Sequence, residues 1–210
     1  MPSPTKYRRN VVCRGRTPVR PDTFLIYHFC KMIKVKTSIS KLTTLGNRGV
    51  NMADIKTNVM RILEKERTEY TAHQYPHGKE AVDGVTVAKL LNQNPEHVFK
   101  TLVTKGSKGD YYVFVIPVEK ELDLKKCAKS VGEKSVEMIA VKDITKVTGY
   151  VRGGCSPLGM KKQYKTTFHI TATEIPNIIV SAGKIGYQID LKPDDLIKLS
   201  NAQCADIVKD

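Results

Sequence analysis

Downstream of Met52 the apolar positions recur with two different periods, and the switches between them outline a series of helices and strands. "NVMRILEKE" sets Val59, Ile62 and Leu63 on one helical face. "TEYTAHQY" alternates as a strand until "PHG" breaks it. "GVTVAKLLNQ" is a second helix carrying Val87, Leu90 and Leu91. In "NPEHVFKTLV", Asn94 suits the cap of a short helical turn with Pro95 at its first position, and the chain continues as a strand over 98–104. "GSKGD" is a turn and "YYVFVIPV" an apolar strand. "DLKKCAKSVG" predicts a helix with Asp123 near its start and Gly132 just past its end. A short strand "VEMIA" and a helix "KDITKVT" lead into the loop "YVRGGCSPLGMKK". Strands "TTFHITA", "NIIVSA" and "YQIDL", the helix "PDDLIKLS" and a terminal "CADIVKD" complete the chain. This order predicts one α/β domain with a mixed sheet. There is no internal repeat, no GxGxxG after a strand and no P-loop, which argues against a dinucleotide fold or a nucleotide triphosphatase.

Residues 1–51 follow neither period. They are turn-rich and hold eleven Lys and Arg against one acid, Asp22. Residues 52–210 carry 24 basic and 20 acidic residues, so most of the formal charge of +14 belongs to the leader. A mildly basic body allows a nucleic-acid partner without demanding one. "TFLIYHFCKMI" is apolar but short, and His28 and Lys31 interrupt it, unlike a secretory signal. An Arg-rich, acid-poor leader admits an organelle transit peptide. The reading adopted is that "MADIKTN" at Met52 is the native start and that 1–51 is a basic extension outside the fold, disordered or non-native. No stretch approaches the roughly 20 apolar residues of a membrane span. Five scattered cysteines without CxxC spacing suit a reducing, cytoplasmic setting. The five histidines make no HExxH, and Pro76 prevents His73 and His77 from facing together on a helix, so neither a metal nor a cofactor is expected.

Three features carry candidate chemistry. In "VFKTLV" the strand faces alternate, so Val98, Lys100 and Leu102 share one side. A lysine in a strand apolar on both faces either meets an anion or pocket, or snorkels to water. In the "GGCSPLG" loop, Gly153, Gly154 and Gly159 free the backbone while Ser156-Pro157 stiffens it. Such a loop either aims amides at an oxyanion or phosphate, or is a tight connection. Cys155 has Arg152 and Lys161 nearby but no histidine, and no His–Asp set is evident to activate it, so its thiol reads as inert or merely accessible. The third feature is "VSAGKIGYQIDL", where Ser181, Gly183 and Gly186 surround Lys184 in a second small-residue loop. It either faces the first loop or is a plain β-turn.

In combination, "NPEHVFKTLV", "PVEKELDLKKCAKSVG", "VEMIAVKDITKVTGYVRGGCSPLGMKK" and "IIVSAGKIGYQIDLKPDDLIKL" resemble the YbaK/EbsC family, relatives of the editing domain inserted in bacterial prolyl-tRNA synthetases. The resemblance covers the chain from about Met52 onward. It implies a mixed α/β fold, a curved sheet or barrel with surrounding helices. It also implies a free-standing deacylase clearing Cys-tRNA(Pro), with Cys-tRNA(Cys) as a further candidate. Mischarged tRNA is then the substrate and prolyl-tRNA synthetase a transient partner. The resemblance gives Lys100 as the residue activity depends on most, and Tyr75, Thr101, Gly153, Gly154, Ser156, Pro157, Gly159 and Ser181 as substrate-binding. The family leaves the Cys155 position variable, and in its cysteine-clearing members the substrate's own thiol attacks. Two departures stand out: Ala182 where glycine is common, and Gln188 where some members have aspartate. Gln188 can hydrogen-bond but not titrate, which bears on amino-acid specificity. The competing readings are a non-catalytic tRNA- or synthetase-binding module and an editing enzyme for Ala-tRNA(Pro).

Overall fold

The structure is a computed structural model, and it describes residues 56–78 and 81–210. The leader 1–51 therefore lies outside the described residues.

The elements run α1 (Asn58–Lys65), β1 (Tyr70–Gln74), α2 (Gly84–Leu90), a 3₁₀ turn (Pro95–His97), β2 (Phe99–Gly106), β3 (Tyr111–Pro117), α3 (Leu124–Val131), β4 (Val136–Met138), α4 (Val141–Thr148), β5 (Lys165–His169), a 3₁₀ turn (Ile170–Thr173), β6 (Ile178–Ser181), β7 (Tyr187–Leu191), α5 (Pro193–Leu199) and β8 (Gln203–Ala205). Local chemistry explains most of the ends. Thr57 and Asp123 accept hydrogen bonds from amides of the first turns of α1 and α3, and Asn94 does the same ahead of Pro95. α3 and α4 end on Gly132 (φ 80°) and Gly149 (φ 86°), where a left-handed residue closes the helix.

Two sheets result. One is antiparallel, in the order β1-β7-β6; the other is mixed, in the order β4-β2-β3-β5-β8, with β3, β5 and β8 parallel. Among the described residues a single parallel bridge, Val98 to Ile179, links them. The mixed α/β expectation holds, and the alternative of a closed barrel does not: both sheets are open.

β3 shows how the core is divided. Val113 and Val115 join the main core with Phe99, Val103, Phe168, Val180 and Ile189. Tyr112, Phe114 and Ile116 face the opposite way, onto Cys127, Ala128 and Val131 of α3. The strand is covered on both sides, as its unbroken apolar run requires. A third, smaller cluster joins Ala88 of α2 to Val98, Val118 and Ile179.

Two expectations need correction. The strand expected over 166–172 ends at His169 and turns into 3₁₀ geometry, where the Thr173 hydroxyl donates to the carbonyl of Ile170. Local bonding of this kind competes with a ladder. Residues 203–205, which overlap the terminal segment "CADIVKD" for which the pattern predicts no element, form β8 by parallel pairing with β5. Among the described residues no helix is long and apolar enough to cross a membrane.

Candidate active site

The three-stranded sheet has an apolar and a polar face. Tyr70, Ala72, Ile178, Val180, Ile189 and Leu191 point into the main core. Period-two alternation puts Thr71, His73, Ser181, Gln188 and Asp190 on the other side. The register aligns His73 with Gln188 and Gln188 with Ser181, so these three form one row. Val98 and Ile179 pair in parallel and share the α2 cluster. Lys100 and Ser181 each follow that bridge by two residues, on the same strand faces as Val98 and Ile179. The row His73, Gln188, Ser181 thus crosses three strands, and Lys100 stands on β2, two residues past the bridge that joins the second sheet to it.

α2 and the segment after it roof this row. Gln93 Nε2 donates to Gln188 Oε1 at 3.2 Å, and Gln188 is buried. His97 Nδ1 lies 2.9 Å from Asn177 Oδ1, and Asn177 Nδ2 donates to Asp190 Oδ1 at 2.7 Å. Asp190 Oδ2 lies 3.6 Å from His73 Nε2. This polar chain fixes the strand ends behind the row.

Lys100 is half-buried, and its ammonium donates to the carbonyl oxygen of Val118 at 2.9 Å. Burial pushes its pKa below the ordinary lysine value; Asp83 and Glu121 oppose that shift. The cation is held by one carbonyl and two distant carboxylates, without a direct ion pair among the described residues. Capacity to bind an anion is retained.

The two small-residue loops meet. A Cβ on Gly154 would lie 3.2 Å from the Ile185 nitrogen and 3.3 Å from Lys184 backbone atoms, so the absence of a side chain lets the backbones touch. Gly153 (φ 81°) has Ala81 and Ile185 against it. Tyr75 is buried just past β1, donates its amide to Gly186 O, and meets His77 edge-on. Tyr75, Gly153, Gly154 and the turn after Ser181 therefore gather at one end of the row.

Other expected residues sit differently. Ser156 is fully buried, and its hydroxyl accepts from the Leu158 amide at 3.5 Å. Pro157 is buried within the same turn. Gly159 (φ 70°) packs against Asn58 and Ile62 of α1. These three shape the loop from inside, and Tyr150 closes it by donating its hydroxyl to Leu158 O at 2.7 Å. Thr101 lies on the opposite face of β2 from Lys100, with Phe99 and Val103; its Oγ1 is buried without a hydrogen-bond partner. The amide of Gly154 already bonds to Val151 O.

Burial raises the Cys155 thiol to about 11, and a hydrogen bond with Thr148 only partly offsets this. Such a sulfur stays protonated near neutrality and is a poor nucleophile. Among the described residues no group of His, Cys, Asp and Glu could hold a metal ion.

Residues 79–199 match the aminoacyl-tRNA editing domain. A protein of Enterococcus faecalis, "Putative Cys-tRNA(Pro)/Cys-tRNA(Cys) deacylase EbsC", is 46% identical over 152 residues, covering 72% of this chain and 93% of its own.

The chain belongs to the aminoacyl-tRNA editing domain family.

The YbaK/EbsC resemblance is thus borne out. Solved structures agree on the fold. "Crystal structure of a putative trans-editing enzyme for prolyl tRNA synthetase" is 22% identical, with a TM-score of 0.63 over 72% of this chain and 95% of that one. A hypothetical protein at 19% identity gives a TM-score of 0.65 over 72% and 99%.

Sequence reasoning does not find His73, Gln93 or Asp190 for this row. On spacing alone His73 comes up only as a metal ligand, and Pro76 argues against that. The available signal is the period-two spacing of His73 with Thr71 and of Gln188 with Asp190, which marks a polar strand face.

Proposed function

We propose that this chain is a free-standing aminoacyl-tRNA deacylase that clears Cys-tRNA(Pro), with Cys-tRNA(Cys) as a further substrate. The Enterococcus relative, matched across nearly its whole length, supports that substrate class. Small amino acids close in size differ by only a few kcal/mol in a synthetase pocket, so a second hydrolytic site raises fidelity.

The observation that carries the mechanism is a half-buried cation with no direct ion pair among the described residues, in a protein whose loop thiol, Cys155, burial keeps protonated. The attacking sulfur then comes from the substrate. Its thiol adds to its own ester carbonyl; a carbon–sulfur bond forms and the ester carbon–oxygen bond breaks. The proton passes to the ribose oxygen, which leaves as the free tRNA end, and water opens the cyclic thioester to cysteine. The protein supplies placement, which raises effective molarity. Lys100 steadies negative charge on the carbonyl oxygen or the terminal nucleotide, and loop amides on either side of Gly154 assist. Tyr75, Ser181 and Gln188 hold the esterified end, while Ser156, Pro157 and Gly159 keep the loop in shape. Thr101 contributes from behind β2.

A transient complex with prolyl-tRNA synthetase fits the modest charge of the body, which limits affinity from phosphate contacts alone. A cytoplasmic location fits the free thiols of Cys127, Cys155 and Cys204. The leader 1–51 belongs outside the editing domain.

The test is release of labelled cysteine from Cys-tRNA(Pro) by the purified protein, beside Ala-tRNA(Pro) and a thiol-blocked Cys-tRNA(Pro). Release from the first alone supports the reading. Cleavage of the blocked ester removes the substrate-thiol mechanism; binding without turnover leaves a non-catalytic module.

A further inference from the structure

The distribution of charge over the folded part is uneven. Residues 141–165, which comprise α4 and the whole glycine loop, hold Lys142, Lys146, Arg152, Lys161, Lys162 and Lys165 against Asp143 alone. The remainder of 52–210 carries 18 basic and 19 acidic residues. The positive excess of the body therefore belongs to the segment that walls the candidate site.

Geometry gathers these charges. Lys142 and Lys146 are exposed one turn apart on α4, about 6 Å along the helix axis. The chain leaving the loop lies along the same helix, since the Lys161 amide donates to Thr148 O and the Tyr164 hydroxyl to Val147 O. That brings exposed Lys162 beside the C-terminal end of α4, while exposed Arg152 stands at the glycine pair. Lys161 Nζ donates to the carbonyls of Thr145 and Lys146. A cation there offsets the negative end of the helix dipole, which would otherwise repel a polyanion. Lys165 is committed to Val131 O. Lys142, Lys146, Arg152 and Lys162 have no ion pair among the described residues. The nearest acid on the preceding strand, Glu137, is matched in register with Lys105.

We infer that this strip is a phosphate-tracking surface for the duplex arm of the substrate RNA, leading its esterified end to the Gly153–Gly154 loop. The inference rests on the deacylase reading for the direction of the RNA, but the strip itself follows from charge. A run of unpaired cations leading to a site suits a regularly charged backbone.

The experiment compares two triple variants of the full chain with equal loss of charge. Lys142→Gln/Lys146→Gln/Lys162→Gln alters the strip, at side chains with no hydrogen bond among the described residues. Lys125→Gln/Lys129→Gln/Lys198→Gln alters exposed lysines on α3 and α5. The first readout is affinity for uncharged tRNA against salt. The strip variant should flatten the log–log slope by about two, at roughly 0.7 to 0.9 for each phosphate no longer neutralised, and the control should hardly change it. The second readout is deacylation. For full-length Cys-tRNA(Pro) the strip variant should raise KM and keep kcat; for a cysteinylated terminal trinucleotide it should match the parent. Equal salt slopes for both variants overturn the strip, including the case in which this face docks a protein. If the parent does not deacylate at all, the function fails while the salt slope still decides the surface.

Discussion

The ammonium nitrogen of Lys100 sits 2.9 Å from the carbonyl oxygen of Val118, on a strand whose Phe99 and Val103 pack into the main core. A carbonyl is a weak counterpart for a cation, so this charge remains available to a ligand. Lys100→Met keeps the length and removes the charge. Deacylation should fall by about 10² to 10³-fold, the usual cost of losing one stabilising donor. Stability should hold or rise, because burial already disfavours the charged form. An unchanged kcat/KM would remove Lys100 from the reaction.

The direction of that shift also sets a pH dependence. The ammonium is charged below its pKa, and that pKa lies under the ordinary lysine value. Enzymatic turnover, corrected for spontaneous ester hydrolysis, should decline as pH rises, with a midpoint under the roughly 10.4 of free lysine. A flat corrected profile up to about that pH would contradict an ammonium role.

Cys155→Ala removes the thiol closest to the glycine pair. With that sulfur raised to about 11, the variant should keep deacylation within a few-fold of the parent. Iodoacetamide near neutral pH should modify this position slowly, as mass spectrometry of the peptide would report. Complete loss of turnover together with intact folding would restore a protein nucleophile.

The contact between the two loops is tested by Gly154→Ala. The new methyl group meets backbone at 3.2 to 3.3 Å, so the loops must separate or strain. The expected cost is about 1 to 3 kcal/mol with a clear fall in kcat/KM. Gly109→Ala is the comparison: its φ of 96° strains the backbone, yet nothing lies near the added carbon. It should destabilise without touching activity. Equal kinetic effects from the two would show that the response is general loosening.

Stability above neutral pH should expose Cys127. Burial raises its thiol to about 12, against roughly 8.5 in an unfolded chain. Between those values the unfolded chain loses the proton and the folded one keeps it. Its contribution is therefore full below about 8.5 and is lost progressively as pH climbs towards 12. Cys127→Ala should reduce the fall in unfolding free energy by about 1.4 kcal/mol per pH unit over that window. Urea midpoints measured across the alkaline range would show it; identical slopes would mean that another group dominates.

How far the sequence carries these conclusions depends on the range of each interaction. Asp123, Gly132 and Asn94 act within a few residues, and their caps are legible. The alternation in β2 gives the side of Lys100, and the unbroken run of β3 gives burial on both faces. The meeting of the two loops stays one of two open readings, because spacing cannot bring residues 153–154 to 184–185. The relation of Lys100 to the polar row needs the Val98–Ile179 bridge, which joins strands distant in the chain. β8 escapes notice for the same reason, since parallel pairing leaves no hairpin signature. Thr101 follows from adjacency to Lys100 in the family motif, whereas strand geometry turns neighbours to opposite faces.

The protonated state of Cys155 has a consequence for error correction on the proposed reaction. If the protein brings no warhead, discrimination need not depend on the volume of the cavity. A cargo carrying sulfur would trigger its own release, whereas one ending in a hydroxyl or methyl could occupy the same space and depart intact. Fidelity would then be encoded in the reactivity of the mistake itself.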